Sequence, residues 1–338
     1  MRQFVLLLAV TLALGAAAAP AAAQQTHLLV VTGLGGEADY TDQFHEWAKT
    51  ILDAAATRYE VPAGNITYLG EKPDLDPERI ADRSSRENVA AAIDAIAARA
   101  EPGDHVVIVL FGHGSFAEEA RINLPGRDLS AEDFAGLLDP LDVGHITFIN
   151  TASASGPFVQ ALSGENRVVM TATRSGGQRN ASMFGGFFVE AFADGEADAD
   201  QNKDERISML EAFEYARIRV EQTFETDGLI ATEHALLDDN GDGDGSGEPD
   251  PLGGDGTVAR TLFFTSGAGL RADMAFPDDP ELLALYAERT ALEERVDELR
   301  RIRGAEPSEQ YAQELERLLV DLALKSREIR QLEAAKER

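Results

Sequence analysis

The sequence predicts an α/β protein with a mostly parallel sheet that carries helices on both faces, followed by a C-terminal helical hairpin or coiled coil. Short apolar runs of strand length alternate with longer segments whose apolar residues recur at helical spacing. Strands that alternate with helices form βαβ units, in which the strands are parallel. After Pro277, two charged segments carry apolar residues at heptad-like spacing, which is typical of paired helices.

The first 23 residues have the composition of a secretory signal peptide. Arg2 precedes an apolar segment over residues 4–15, and Pro20–Ala23 offers small residues for cleavage before Gln24. No later stretch approaches the ~20 apolar residues of a membrane-spanning helix. We therefore expect a protein without a membrane span that is secreted across the inner membrane to the periplasm or the extracellular space.

Charge and cysteine content exclude several classes of function. The chain has 60 acidic and 30 basic residues and a net charge of −30, which argues against binding to nucleic acid or to anionic lipid. It contains no cysteine, so disulfides, thiolate metal sites, a lipid anchor on cysteine and a cysteine nucleophile are excluded. The excess of carboxylates suits a protein that takes up divalent cations, provided that the carboxylates cluster.

Residues 24–270 are predicted to form the α/β domain, with strands at its apolar runs. The predicted strands are His27–Thr32, Ile66–Leu69, Val106–Phe111, Ile146–Asn150 and Arg167–Thr173, with Ala259–Phe264 as a last strand at one edge. Amphipathic or capped segments predict the helices, which are residues 41–59, 86–100, 129–138, 156–162, 181–193 and 208–224. The glycine run after the first strand, Gly33–Gly36, lacks the full spacing of a dinucleotide-binding motif and predicts a tight turn.

Residues 271–338 are predicted to form the C-terminal hairpin. Two helical segments, 280–303 and 309–338, each carry one apolar stripe among charged residues, and Gly304–Ser308 separates them. Such a hairpin is either a solvated appendage that packs on itself or an arm for homo-oligomerisation or for a partner protein. The sequence leaves both interpretations open.

The central strand ends in the segment that carries the predicted chemistry. Val106–Phe111 runs into Gly112–Ser115, where glycines on either side of a histidine allow a sharp turn and a close approach to a ligand. The strand Ile146–Asn150 likewise ends in the polar segment Thr151–Gly156. Because ligands of open α/β sheets bind beyond the carboxyl ends of the strands, we expect these two segments to share one functional edge.

At that edge, His113 and Ser153 are the candidate base and nucleophile. A histidine beside a nucleophile suggests covalent acyl transfer, in which the amides of Gly114 and Ser153 would hold the oxyanion. A purely structural histidine is the simpler alternative. Arg174, just past another strand end, would either meet a substrate carboxylate or form a surface salt bridge.

The two strand ends resemble those of the legumain-like (C13) cysteine peptidases, which have the caspase–hemoglobinase fold. Val107–Ser115 is similar to their strand and His-Gly motif, and Thr151–Gly156 looks like their Glu-Ala-Cys-Glu-Ser-Gly motif. The resemblance covers roughly residues 25–265 and does not extend to the C-terminal hairpin. It implies a caspase-like fold and peptide hydrolysis.

By this resemblance, His113 stands in the position of the catalytic base and Gly114 in that of the oxyanion amide. Ser153 takes the position of the nucleophilic cysteine. A serine hydroxyl is far less acidic than a thiol and needs an imidazole that an acidic residue holds in place. The candidates for that acid are Asp104 and Asp142, although neither is obviously placed for the role.

Thr151 and Ala154 also depart from the motif, since both replace its acidic residues. The sequence therefore predicts a peptidase homologue with impaired catalysis that binds peptide or acts as a scaffold. One alternative is an active serine-dependent peptide hydrolase that uses Ser153 and His113. The other is a structural envelope protein that acts through its helical hairpin.

The segment Asp200–Glu211 fits the twelve-residue calcium loop, in which oxygen ligands occupy fixed positions. The predicted Ca²⁺ ligands are Asp200, Asn202, Asp204, Arg206 through its carbonyl, Ser208 and the bidentate Glu211. Glu205 replaces the glycine that makes the sharp turn of such loops, so we expect a reduced affinity or an altered geometry. A solvated acidic loop is the simpler alternative.

A second acidic segment, Asp238–Asp244, places carboxylate and amide side chains at alternating positions. Pro249 stands where a calcium loop would have its bidentate glutamate. The segment is therefore either an incomplete calcium loop or a flexible acidic turn, and the sequence does not decide between them.

Overall fold

The computed structural model describes residues 24–193, 196–202, 206–264, 279–301 and 309–336. Within these ranges the chain is a mixed α/β protein with a mostly parallel seven-stranded sheet between helices. No helix in the described ranges combines the length and apolar character that crossing a membrane requires. The predicted signal peptide, residues 1–23, lies outside the described residues.

The main sheet has the order β10-β9-β8-β4-β1-β2-β3, and every neighbouring pair is parallel except β10 with β9. Its strands are β1 Thr26–Thr32, β2 Ile66–Gly70, β3 Asp82–Arg83, β4 His105–Phe111, β8 His145–Asn150, β9 Arg167–Thr171 and β10 Leu236–Asp238. β4 is buried along its whole length, because it lies inside the sheet with helices on both faces. The predicted central strand is therefore confirmed.

Seven helices accompany the sheet in the described part of the α/β domain. They are α1 Ala38–Thr57, α2 Arg86–Ala97, α3 Ala131–Leu138, α4 Phe158–Leu162, α5 Phe184–Ala191, α6 Glu196–Ala199 and α7 Met209–Thr226. Alternate residues of β4 point to two separate cores, as the two-residue period of a strand requires. Val107 and Val109 pack with α1, α5 and α7, whereas Ile108 and Leu110 pack with α2, α3 and α4.

The prediction of an edge strand over Ala259–Phe264 is wrong. Residues Ala259–Thr261 form a 3-10 turn, and only Phe263 makes an isolated bridge, to Ser208. The Asp239 carboxylate accepts hydrogen bonds from the amides of Val258 and Ala259 at 2.9 and 2.7 Å, which stabilises the turn. The apolar residues of this segment are buried as a loop against the core, and the sheet edge belongs to β10.

A small antiparallel sheet, which the sequence pattern did not predict, connects the central strand to α3. Its strands are β5 Gly114–Phe116, β6 Ala120–Ile122 and β7 Leu129–Ser130. β5 begins directly after His113 and pairs with β6 alone, so its other side faces the carboxyl edge of the main sheet. Gly114 and its neighbours are thereby held as extended backbone beside the candidate site.

The C-terminal helices, α8 Pro280–Arg301 and α9 Glu309–Lys336, pack against each other in antiparallel directions. Ion pairs join the start of each helix to the end of the other, as Asp279 with Lys336 and Arg295 with Glu314 indicate. Apolar side chains from both helices are buried between them, and these are Leu282, Val296, Leu318, Leu322 and Ile329. The turn between the helices, residues 302–308, lies outside the described residues.

Candidate functional site

The strand ends of β4 and β8 meet at one edge of the sheet. The two strands pair in parallel up to Leu110 with Asn150. Beyond that pair, the amide and the hydroxyl of Thr151 both donate to the Leu110 carbonyl, at 3.0 and 2.8 Å. Thr151, which stands where the peptidase motif has an acid, therefore closes the end of the strand pair by hydrogen bonding and is fully buried.

Ser153 is buried at this edge and bonds to β5. Ser153 is only 3% exposed. The hydroxyl accepts a hydrogen bond from the Gly114 amide at 3.1 Å and donates one to the Gly114 carbonyl at 3.2 Å. Neither bond involves His113, so the hydroxyl is satisfied by the backbone that was expected to hold the oxyanion.

Two backbone features bring Ser153 this close to β5. A Cβ atom on Gly114 would lie 2.1 Å from the Ser153 carbonyl oxygen, so only glycine fits there. Ala154, the next residue along, adopts a left-handed conformation with φ of 56°, which costs energy for a residue other than glycine. Its amide donates to the Gln178 carbonyl at 2.7 Å, which helps to hold this turn in place.

His113 is half-buried between the glycine run and helix α1. Its ring makes edge-to-face contacts with Tyr40 and Phe44, with ring centroids 4.6 and 5.2 Å apart. Burial lowers the pKa of His113, while the facing carbonyl of Gly35 and the charge of Glu37 act in the opposite direction. The imidazole is therefore neutral at pH 7 and is able to accept a proton.

The two acids considered for holding His113 lie at the opposite edge of the sheet. Asp104 precedes the first residue of β4 and accepts hydrogen bonds from the Gln25 amide and the His27 ring, at 2.8 and 2.9 Å. Asp142 is exposed in the turn before β8. Since His113 follows the other end of β4, neither carboxylate reaches it.

Arg174 lies at the functional edge, just after β9, and is exposed. Within the described ranges its guanidinium has no acidic partner, so the surface salt bridge considered as its simpler role is not found there. Its charge helps to lower the pKa of His234, after burial, which places both groups at this edge. The edge thus carries an exposed positive charge in a strongly acidic protein.

Sequence reasoning missed the residues that rim this edge, because they come together from distant segments. The Gln178 amide side chain contacts the His234 ring at 2.5 Å. The buried carboxylate of Glu233 accepts hydrogen bonds from the amides of Met183 and Phe184, at 2.9 and 2.8 Å, where α5 begins. No local pattern in the sequence indicates these pairings.

In the predicted calcium loop, Glu211 holds the loop through hydrogen bonds. One carboxylate oxygen accepts from the amides of Gln201 and Asn202, at 3.1 and 3.3 Å. The other accepts from the amide and the hydroxyl of Ser208, at 3.0 and 2.9 Å, and Ser208 caps α7 in return. Glu211 therefore forms a capping box, which orders the loop from inside.

The predicted ligands of this loop are only partly described. Asp200 is buried, Asn202 is half-buried, and the Arg206 guanidinium lies 3.6 Å from the centre of the Phe263 ring. Asp204 lies outside the described residues. Among the described side chains, no group of three or more His, Cys, Asp or Glu is arranged to hold a metal ion.

The second acidic segment is an ordered turn closed by its own side chains. The fully buried carboxylate of Asp238 accepts from the amides of Gly241 and Gly243, at 3.1 and 3.0 Å. Burial, together with the nearby charges of Asp238 and Asp239, raises the pKa of Asp255 to about 6. The hydrogen bonds that Asp238 accepts thus close the turn, whereas the ionised form of Asp255 is disfavoured in the fold.

Neither a protein-family model nor a curated protein matches the chain. The similarity to legumain-like peptidases therefore depends on the two strand-end motifs and on the position of their residues in the sheet. Membership of that family stays a prediction.

Proposed function

We propose that this chain is an exported, peptide-binding homologue of the legumain-like peptidases in which hydrolysis is impaired. The observation that carries the proposal is the double hydrogen bond between the Ser153 hydroxyl and the Gly114 backbone. This pair of bonds supports a structural role for Ser153, in which its side chain links the segments that follow β8 and β4. Peptide would then bind at the carboxyl edge without being cleaved.

The hydrogen bonds of Ser153 oppose catalysis in two ways. To attack a carbonyl, the hydroxyl must give up both bonds to Gly114, each of which contributes about 0.5–1.5 kcal/mol. The Gly114 amide must also donate its hydrogen bond to the oxyanion and no longer to Ser153. The loss of one such donor typically lowers kcat by ~10²–10³-fold. A hydroxyl that competes for this donor weakens both nucleophile and oxyanion hole.

Two features of the same edge favour a peptide as the ligand. Ser115, on β5 beside the site, is exposed. The exposed guanidinium of Arg174, which has no acidic partner among the described residues, offers a positive charge to a peptide carboxylate. A peptide with an acidic side chain or a terminal carboxylate supplies the charge that such an edge recognises.

The Ser153→Cys variant tests the proposal, because it introduces a single thiol into a chain that has none. The pH dependence of its alkylation by iodoacetamide reports the thiol pKa. If His113 stands beside position 153 as a base, the pKa falls below the ordinary value of ~8.5, and a further His113→Gln change restores it. Cleavage of fluorogenic Asn- and Asp-containing peptides is measured in parallel.

We expect the natural protein to cleave no peptide and to resist fluorophosphonates, and the thiol variant to show the lowered pKa. Labelling of Ser153 together with peptide cleavage by the natural protein would overturn the proposal in favour of a serine hydrolase. A folded variant whose thiol titrates normally, with or without His113, would contradict peptidase ancestry altogether.

A serine-dependent peptide hydrolase is the second candidate function. The neutral imidazole of His113, whose pKa burial lowers, favours it because a neutral histidine can take the proton of a nucleophile. In that mechanism the Ser153 hydroxyl gives up its hydrogen bonds to Gly114 when substrate binds, and the freed Gly114 amide donates a hydrogen bond to the developing oxyanion. The fluorophosphonate experiment separates this mechanism from the first proposal.

A further inference from the structure

Glu71 follows the last residue of β2 and lies beside the glycine run, in a position that the sequence did not single out. Its side chain is 14% exposed. One carboxylate oxygen accepts hydrogen bonds from the Gly35 amide at 3.2 Å and from the Thr41 hydroxyl at 2.9 Å. The Glu71 amide donates to the Thr32 hydroxyl at 3.3 Å. The Glu71 carboxylate therefore joins the glycine run to the first turns of α1, and the Glu71 amide ties the residue to the end of β1.

Both groups that Glu71 holds belong to the surroundings of His113. The carbonyl of Gly35 faces the imidazole and favours its protonated form. Helix α1, which contains Thr41, supplies the Tyr40 and Phe44 rings that pack edge-on against the imidazole. Glu71 thus supports one polar and one aromatic neighbour of the same ring.

Close packing against Thr41 restricts the conformation of the glycine run at Gly35. A Cβ atom on Gly35 would lie 2.5 Å from both the amide nitrogen and the hydroxyl of Thr41. Close packing of this kind needs glycine and leaves the Gly35 amide facing the Glu71 carboxylate. Without an acceptor there, the buried side of the loop would carry an unsatisfied donor.

We propose that Glu71 is a positioning residue for His113, which it holds through Gly35 and the start of α1. Glu71 would replace the acid that normally orients a catalytic imidazole, although it acts through a neighbouring residue and does not touch the imidazole itself. The inference rests on the proposed function in one respect, since it takes His113 as the base of that site. The hydrogen bonds of Glu71 themselves do not depend on whether the site is active.

Two substitutions separate positioning from simple charge. Glu71→Gln keeps an oxygen at the same reach and removes the charge. Glu71→Asp keeps the charge and shortens the side chain by one methylene, so it cannot reach Gly35 and Thr41 together. Lys72→Ala is the matched control, because the Lys72 ammonium lies 3.8 Å from the other carboxylate oxygen and touches neither of those groups.

The readout is the NMR titration and the ¹⁵N shifts of the His113 ring, assigned by the signal that is lost in His113→Gln. Because burial is the main cause of the lowered pKa of His113, positioning predicts that Glu71→Asp moves this pKa upward, toward ~6.5, as the loop loosens and the ring gains solvent. It also predicts no more than a small change in Glu71→Gln and in Lys72→Ala.

The reverse pattern, with Glu71→Gln shifting the titration and Glu71→Asp leaving it unchanged, would overturn the proposal and indicate a charge effect. Unchanged titration in all folded variants would overturn it as well. If Glu71→Asp fails to fold, Thr41→Val removes one of the two bonds and must shift the His113 signals in the same direction. None of these readouts needs peptidase activity, so the Ser153→Cys experiment can fail while this one succeeds.

Discussion

His105, at the start of the central strand, makes the domain sensitive to acid. The residue is fully buried, and its ring nitrogen lies 2.8 Å from the Thr147 hydroxyl. It pairs in register with His145 on β8. Burial, followed by the neighbouring charge of His145, lowers the pKa of His105 to about 3. The folded protein therefore resists protonation of a side chain that the unfolded chain protonates readily.

The sign and size of the effect follow from proton linkage. In the unfolded chain a histidine has a pKa of ~6.5, so below that pH the unfolded state binds more protons than the folded state. The contribution of His105 to the unfolding free energy is therefore fully present above pH 6.5. It is lost progressively as the pH falls, until the pKa of His105 in the folded protein is reached. The loss grows by ~1.4 kcal/mol per pH unit, which gives about 2 kcal/mol at pH 5.

Urea denaturation at pH 7 and pH 5 measures this loss in the natural protein and in His105→Gln. The glutamine keeps a hydrogen-bonding partner for Thr147 and does not titrate, so we expect its drop in unfolding free energy to be smaller by about 2 kcal/mol. Thr147→Val is the matched control, since it removes the hydrogen bond but keeps the buried imidazole and hence the pH dependence. Equal drops in the natural protein and in His105→Gln would refute the reasoning.

Three further predictions concern the site, the acidic loop and the hairpin. Gly114→Ala should destabilise the fold by about 1–3 kcal/mol in urea denaturation, because its Cβ would overlap the Ser153 carbonyl, whereas Gly136→Ala, in open space on α3, should not destabilise it. If Asp200–Glu211 binds Ca²⁺, calcium should raise the melting temperature over that in chelator and Glu211→Gln should abolish the rise; no rise in the natural protein would count against the loop. If the hairpin is a dimerisation arm, removal of residues 278–338 should convert a dimer to a monomer in light scattering, and an unchanged number of subunits would rule that role out.

The exposed side of the hairpin gives the last of these tests a physical basis. Val320 and Leu324 lie one turn apart on α9 and are about half exposed, at 52% and 48%. The inner face of the same helix is already buried against α8 through Leu318 and Leu322. An arm that docks on another chain would use the outer pair, so replacing both residues with glutamine should mimic the deletion.

Much of the fold follows from local patterns in the chain. The apolar run that ends at Phe111 is long enough for a buried strand, and Gly112 directly after it allows the chain to turn. Ser85 and Ser130 cap α2 and α3, since their side chains accept hydrogen bonds from the amides of Asn88 and Asp133. These features depend on residues close together in sequence, where steric and hydrogen-bonding preferences act directly.

The failures of prediction have one common cause. Ala259–Phe264 has the composition of a strand. The carboxylate of Asp239, from another segment, accepts hydrogen bonds from the amides of Val258 and Ala259, and a 3-10 turn forms there instead. Apolar content predicts burial, and burial alone does not decide between a strand and a packed loop. Similarly, β5 to β7 are too short for a pattern to distinguish them from turns.

By itself, the sequence indicated that His113 and Ser153 each follow a strand, and it determined that no thiol is present to do the chemistry of the motif. Only the tertiary structure decided what each side chain meets. Ser153 meets the backbone of Gly114, and His113 meets the carbonyl of a glycine that Glu71 holds. The physical reason is that strand ends follow from local periodicity, whereas hydrogen-bond partners depend on distances between segments that only the packed sheet brings together.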